Sequence, residues 1–247
     1  GSEDRTARVW EAAAQRLPSR TLSHHRAGVR AVAFSPDGSY VLSGSEDKTA
    51  QLWSVDSQRT NGKVLELVHD DWVWAVAFSA DGSRILTGCG NGSAHLWDTN
   101  TGEPILDSPL WRDPDCHLRA VALSPTENVA VTGEANTASL WQLSTGKHLR
   151  TFPHRYAVRG TVFSPDGKHI LTGCDDNSAC VWDVATGKLV GAPLGHRCKV
   201  FAVAFSPDGS RIVTGCADNT ALVWDAKTYE PIGKPLGARR PRQECVL

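Results

Sequence analysis

Tryptophans at 10, 53, 97, 141, 182 and 224 stand 43, 44, 44, 41 and 42 residues apart. So large a side chain returning at a near-constant interval means that the chain repeats one supersecondary unit, which buries its hydrophobic face only by stacking on its neighbours. Within each unit an apolar stretch (Val29 to Phe34, Trp72 to Phe78, Val200 to Phe205) runs into Ser-Pro-Asp-Gly at 35, 164 and 206, or Ser-Ala-Asp-Gly at 79. Proline second and glycine fourth suit a type I turn. A second stretch follows, as in Ile85-Leu86-Thr87 or Ile212-Val213-Thr214. Glycine with Asp, Asn and a small residue comes next, then the stretch that ends in Trp. A variable segment rich in Gly and Pro, such as Thr186 to Gly191, closes the unit. Four short strands per period is the strand count of one propeller blade, so the expectation is an all-β chain.

Composition narrows the possibilities further. With 40% hydrophobic and 21% charged residues in 247, the chain is of the folded, globular kind. A net charge of -1 removes any strong electrostatic claim on nucleic acid or membrane, and no run of about 18 apolar residues exists to form a spanning helix. There is no methionine, which suggests that the chain does not begin where its gene begins. Cysteines at 89, 116, 174, 180, 198, 216 and 245 form an odd set without paired C-x-x-C spacing. They are read as reduced thiols of a cytoplasmic protein, with no metal and no cofactor expected.

These residues resemble the WD40 repeat family over nearly the whole chain, from Gly1 to about Gly237. Trp-Asp stands at 97/98, 182/183 and 224/225, and varies to Trp10-Glu11, Trp53-Ser54 and Trp141-Gln142. Six residues before the Ala or Gly in the middle of the first strand lie His25, His69, His154 and His196, with Pro114 in the remaining unit. The resemblance implies a buried network joining this His to an Asp in the turn between second and third strands, a Ser or Thr, and the Trp. Transferred residue by residue, the sets are His25, Ser43, Asp47, Trp53; His154, Thr172, Asp176, Trp182; and His196, Thr214, Asp218, Trp224. The unit ending in Trp97 has His69 and Thr87 but Asn91 for Asp. The unit ending in Trp141 has Pro114 and Ser124-Pro-Thr-Glu, and is expected to be the least rigid. A His-Ser/Thr-Asp set repeated around one chain suits a structural network better than an active site, since buried polar groups need partners.

With strands a to d running from the inner edge of a blade to its outer edge, five blades are complete: about 29–68, 72–110, 118–152, 157–194 and 199–236. Gly1 to Trp10 matches Gly44 to Trp53 almost letter for letter, so the opening segment 1–28 supplies only strands c and d of a preceding blade. The expectation is therefore a segment, residues 1–237, of a seven-bladed propeller, followed by a basic tail or linker at 238–247. The missing strands would come from the remaining blades of a parent propeller, or the open edge would self-associate.

No G-x-S-x-G, H-E-x-x-H, P-loop or G-x-G-x-x-G is present. Function is expected on the face that carries the d-to-a and b-to-c turns, where the resemblance places partner contacts. There the residue before the mid-strand Ala or Gly reads Arg30, Trp74, Arg119, Arg159 and Phe201, joined by Trp72, Lys199, Glu46 and Asp175. Tryptophan and arginine dominate binding hot spots, so the rim reads as a receptor for a protein or peptide with acidic or aromatic residues. Trp72, Trp74 and Trp111 are not required by the repeat and are candidates for function. The leading reading is a non-catalytic scaffold. Pro-Leu-Gly spacers at 193–195 and 235–237 resemble bacterial arrays of this family, which are often fused to signalling domains. The competing reading is a channel-based enzyme or metal-binding propeller, for which the sequence offers only Glu46, Asp175 and scattered histidines.

Overall fold

The computed structural model describes residues 3–9, 20–22, 24–55, 63–106, 109–112 and 117–237. Trp10, Glu11, Pro114, Cys116 and the basic segment 238–247 lie outside them. Among the described residues there is no helix, and the strands form five four-stranded antiparallel sheets and one two-stranded sheet. The two-stranded sheet pairs β1 (Ala7–Val9) with β2 (Arg20–Leu22). The first full sheet is β3 (Val29–Phe34), β4 (Tyr40–Ser45), β5 (Thr49–Ser54) and β6 (Lys63–Val68). The second is β7 (Val73–Phe78), β8 (Arg84–Cys89), β9 (Ser93–Asp98) and β10 (Trp111–Arg112). The third is β11 (Ala120–Leu123), β12 (Val129–Gly133), β13 (Thr137–Gln142) and β14 (His148–Pro153). The fourth is β15 (Val158–Phe163), β16 (His169–Cys174), β17 (Ser178–Asp183) and β18 (Leu194–Gly195). The fifth is β19 (Val200–Phe205), β20 (Arg211–Cys216), β21 (Thr220–Asp225) and β22 (Leu236–Gly237). Each sheet is a simple meander, strands paired in chain order.

The turns explain why. In the a-to-b turn the Ser35 hydroxyl donates to Asp37 and accepts from the Tyr40 N–H, and Ser79, Ser164 and Ser206 repeat the arrangement. Gly38, Gly82, Gly167 and Gly209 close it with positive φ. At the b-to-c turn the left-handed position falls to Gly92, Asn177, Asn219 and, unusually, Lys48.

Stacking follows the first strands: β3 packs on β7, β7 on β11, β11 on β15 and β15 on β19. The penultimate or final glycine of each second strand makes this close approach possible. A Cβ added at Gly44, Gly88, Gly133 or Gly173 would sit 2.8–2.9 Å from a methyl of Val73, Val121, Val158 or Val200 on the next sheet. Among the described residues, Gly215, the fifth member, meets only its own sheet, with the Ala202 Cβ at 3.5 Å. Burial agrees. Strands β8, β12 and β16 are buried nearly throughout, whereas Val213 on β20 and Leu236 on β22 are 40% and 62% exposed. At the other end, the two-stranded sheet covers Val41 and Trp53 but leaves Val32 and Phe34 exposed.

The third sheet is as buried through its first three strands as its neighbours are, although its sequence departs from the repeat. Glu134 occupies the interior, accepting from Thr132 Oγ1 at 2.9 Å and Thr137 Oγ1 at 2.7 Å, while Trp141 Nε1 donates to Thr132.

Candidate functional site

In four of the first strands the pairing slips by one residue: between Val29 and Ala31, Val73 and Ala75, Val158 and Gly160, and Val200 and Ala202. The residue left out of the ladder is Arg30, Trp74, Arg159 or Phe201. A β-bulge bends its strand and re-aims the extra side chain, so one feature repeated in four sheets turns these residues onto the rim. Arg119 stands just before β11, where its N–H donates to Gly133 O at 3.1 Å. The b-to-c turns are tied to the same region, with Glu46, Gly90, Asp175 and Ala217 donating backbone N–H groups to Gly28, Trp72, Ala157 and Lys199 carbonyls.

What occupies the turn depends on what occupies the bulge sixteen residues earlier. Arg30 donates to Glu46 from Nε at 2.8 Å and Nη2 at 2.5 Å, and Arg159 donates to Asp175 at 2.9 and 2.6 Å. Where the bulge residue is Trp74 the turn has glycine. A Cβ at Gly90 would lie 2.7 Å from Asp71 Oδ2 and 3.1 Å from Trp74 Nε1, so its absence makes room for the indole. Where the bulge residue is Phe201 the turn has Ala217. Lys199 Nζ also reaches Asp175, at 3.2 Å. Burial pushes the Asp175 carboxyl up, but the hydrogen bonds and charges of Arg159 and Lys199 outweigh it and hold the group below the usual carboxylate range.

Cations and rings alternate along the rim. The Arg30 guanidinium carbon lies 5.4 Å from the Trp74 ring centroid and that of Arg119 5.8 Å, so one indole serves two arginines. Arg159 lies 5.7 Å from the Phe201 centroid, and Trp72 and Trp74 are 5.9 Å apart. Trp72 and Phe201 remain exposed, at 43% and 47%. Arg30, Arg159 and Lys199 are engaged by Glu46 and Asp175, so two carboxylates offset part of the positive charge of the rim. The arginines are held in fixed orientations over aromatic faces. Trp111 is not part of this rim. It pairs with Ala94 on the outer strand β10 and stacks on Trp141 with centroids 5.4 Å apart, so its role is packing.

The histidine network closes completely in one unit. His25 Nε2 meets Ser43 Oγ at 2.7 Å, His25 Nδ1 meets Asp47 at 2.9 Å, and Trp53 Nε1 donates to Ser43 at 2.8 Å. Elsewhere the Trp bond recurs, Trp97 to Thr87, Trp182 to Thr172 and Trp224 to Thr214 at 2.9–3.0 Å, but the His–Asp bond does not. His69 bonds Thr87 and the Leu67 carbonyl, and Asn91 turns to Ser93 instead. Asp176 accepts from Ser178 and Asp218 from Thr220, while His154 Nε2 and His196 Nε2 are buried without a hydrogen-bond partner.

The opposite mouth holds a cavity of about 460 Å³ lined by Phe34, Phe78, Phe163 and Phe205 with Pro36, Pro125, Pro165 and Pro207. Its signal in the sequence was the recurrent Phe-Ser-Pro, which turn chemistry alone had accounted for.

The model of the WD domain, G-beta repeat, matches residues 16–54, 62–98, 146–183 and 187–225. The gap between the second and third matches holds most of the sheet that carries Glu134. Among curated relatives, eukaryotic translation initiation factor 3 subunit I of Pyricularia oryzae is 42% identical over 52 residues, 21% of this chain and 15% of that protein. An uncharacterised WD repeat-containing protein of Schizosaccharomyces pombe is 30% identical over 80 residues, 32% of this chain and 20% of its own length. Protein tipD of Dictyostelium discoideum is 30% identical over 102 residues, 38% of this chain and 16% of its own. The chain thus spans at most about a fifth of the length of each of these relatives.

Proposed function

The chain belongs to the WD40 repeat family, and on that premise we propose that it is a non-catalytic interaction module that binds peptide segments of protein partners on the rim built by the bulge residues. One observation carries the reading: arginines pre-positioned over Trp74 and Phe201, with ring faces of Trp72 and Phe201 left exposed beside them. Holding a long side chain in its bound conformation removes part of the ordering cost of association. A segment with an aromatic residue next to a carboxylate suits this surface, the ring stacking on Trp72 or Phe201 and the carboxylate approaching the arginines beside them. We place the module in the cytoplasm, as the targeting part of a larger signalling protein of bacterial type.

The test is affinity for peptides selected by display on the immobilised protein. The double variant Trp74→Ala, Phe201→Ala is expected to weaken them at least roughly tenfold, as loss of central aromatic anchors does, with the melting temperature little changed. Unchanged affinity would remove the rim from the account.

A second reading concerns the face of the fifth sheet, where Val213 and Leu236 are exposed and, among the described residues, Gly215 meets no neighbouring sheet. The remaining blades of a seven-bladed propeller suit that face best, with self-association as the alternative. Sedimentation at increasing concentration separates them, since only self-association adds mass.

A further inference from the structure

We propose that the edge of β6 takes up an extended segment of a protein partner as a fifth strand of the first full sheet. A sheet edge carries unpaired N–H and C=O groups that template further pairing, and folded proteins shield it with short strands or proline. The other four full sheets are shielded. Strands β10, β18 and β22 are two residues long. Pro193 and Pro235 stand two residues before Gly195 and Gly237, which oppose Ser178 and Thr220 as Val68 opposes Thr49. Those sheets therefore have no N–H at the position of Glu66. In the second full sheet Leu110 holds that position and spends its N–H on Ala94 O at 2.7 Å. The third has a six-residue edge strand, but Pro153 opposes Thr137 and so removes the N–H at the position of Val68.

Strand β6 is six residues long, contains neither proline nor glycine, and has no strand beyond it among the described residues. From Leu65, opposite Leu52, to Val68, opposite Thr49, it forms a regular antiparallel ladder with β5. The next residue, His69, donates its N–H to Lys48 O at 2.9 Å. Bonded and non-bonded pairs alternate along such a ladder, so Leu67 and Leu65 bond β5 while the N–H and C=O of Val68 and Glu66 point away from it. The side chains divide at the same residues. Leu65 and Leu67 turn to the second full sheet, where both come within 3.6 Å of the place a Cβ on Gly102 would take. Val64, left out of the pairing by the bulge, and Val68 are 49% and 68% exposed, with Glu66 exposed between them.

What the edge displays defines its occupant. The outward main-chain groups ask for an extended backbone, as in strand addition, and the two valines suit β-branched or aromatic residues across the new pairing. Glu66, whose carboxylate Gln51 Nε2 reaches at 3.4 Å, suits a lysine or arginine between them. A second copy of this edge fits less well, because the antiparallel register that sets Val64 against Val68 also sets Glu66 against Glu66. The occupant is therefore a strand of alternating β-branched and basic residues on one face. Strand β6 is the outermost of its sheet, whereas the rim residues stand on the innermost strands, so this site is independent of the peptide-binding reading.

The probe is the acetylated and amidated peptide Thr-Val-Thr-Lys-Thr-Val-Thr, whose valines and lysine share one face when extended. Hydrogen exchange is expected to find the Glu66 and Val68 amides fast in the chain alone and protected with the peptide. Val68→Pro, a change that Pro153 shows this position to accommodate, should weaken binding at least about fivefold, as loss of a main-chain hydrogen bond does, with the melting temperature little changed. Glu66→Lys should weaken it too, and binding should recover when glutamate replaces the lysine of the peptide. The double variant Trp74→Ala, Phe201→Ala should bind as the parent does. The proposal would be overturned by no binding at about 1 mM peptide, by unprotected Glu66 and Val68 amides, or by equal affinity for Val68→Pro. Protection of the same amides on concentrating the chain alone would overturn it in favour of self-pairing.

Discussion

At the scale of single residues, one histidine position is resolved in four ways. Through Nδ1, His25 bonds a carboxylate, His69 a carbonyl and His196 a thiol, and Nε2 of both His154 and His196 is buried with no partner among the described residues. The Trp hydrogen bond is the invariant part, because a buried indole N–H needs an acceptor and Ser43, Thr87, Thr132, Thr172 or Thr214 always lies opposite. Spacing located every one of these histidines. It could not say which way each ring bonds: Thr49, Ser178 and Thr220 all donate to their turn carboxylate, yet of the three carboxylates it is Asp47 that also bonds its histidine. His69 gives a measurable consequence. Burial, together with His95, pushes its imidazole down to about 4, below the ordinary value of 6.5. Between those values the unfolded chain takes up a proton that the folded chain refuses, so this contribution lowers stability as pH falls from 6.5 to 4 and vanishes above 6.5. Urea unfolding of His69→Gln at pH 7, 6 and 5 should therefore show a shallower loss than the parent, by up to about 1.4 kcal/mol per pH unit. Parallel profiles would contradict it.

At the scale of the element, the first strand of each sheet does two things. Val73, Val121, Val158 and Val200 fill the space above a glycine of the preceding sheet, and beside each of these except Val121 a bulged residue turns to the rim. Packing against the preceding sheet and the placing of the rim side chains are thus set by the same short strand. The glycines form a matched pair of tests. Gly173→Ala would push a methyl to 2.9 Å from Val200 and Val203 and to 3.2 Å from the Val200 carbonyl, costing about 1–3 kcal/mol by overpacking. Gly215→Ala meets nothing closer than 3.5 Å and should be neutral or mildly stabilising. Denaturant midpoints decide it, and equal shifts for the two would mean that the fifth sheet is covered as the fourth is. The strands themselves were legible because turns and alternating burial recur. The bulges were not, since an extra residue in a strand has no composition of its own. The pairing of Arg30 with Glu46, Trp74 with Gly90 and Arg159 with Asp175 is the trace they left, visible only once the register is known.

At the scale of the molecule, five sheets stack through their first strands and leave one rim on which four bulges and Arg119 stand side by side. The repeat made the architecture readable, and the identity of the rim residues followed from it. Their pairing did not, because the carboxylates that hold Arg30 and Arg159 stand in turns sixteen positions away. With Glu46 and Asp175 offsetting part of the rim's positive charge, raising ionic strength should weaken peptide binding by less than an unpaired cluster of four cations would show. The most direct test of the central claim is hydrogen exchange of the protein with and without its best display-selected peptide. Protection is expected at 26–30, 70–74, 117–119, 156–159 and 197–201 and in the adjoining turns. Protection confined to the Phe-Ser-Pro mouth around Pro36, Pro125, Pro165 and Pro207, with the bulge residues unchanged, would contradict it.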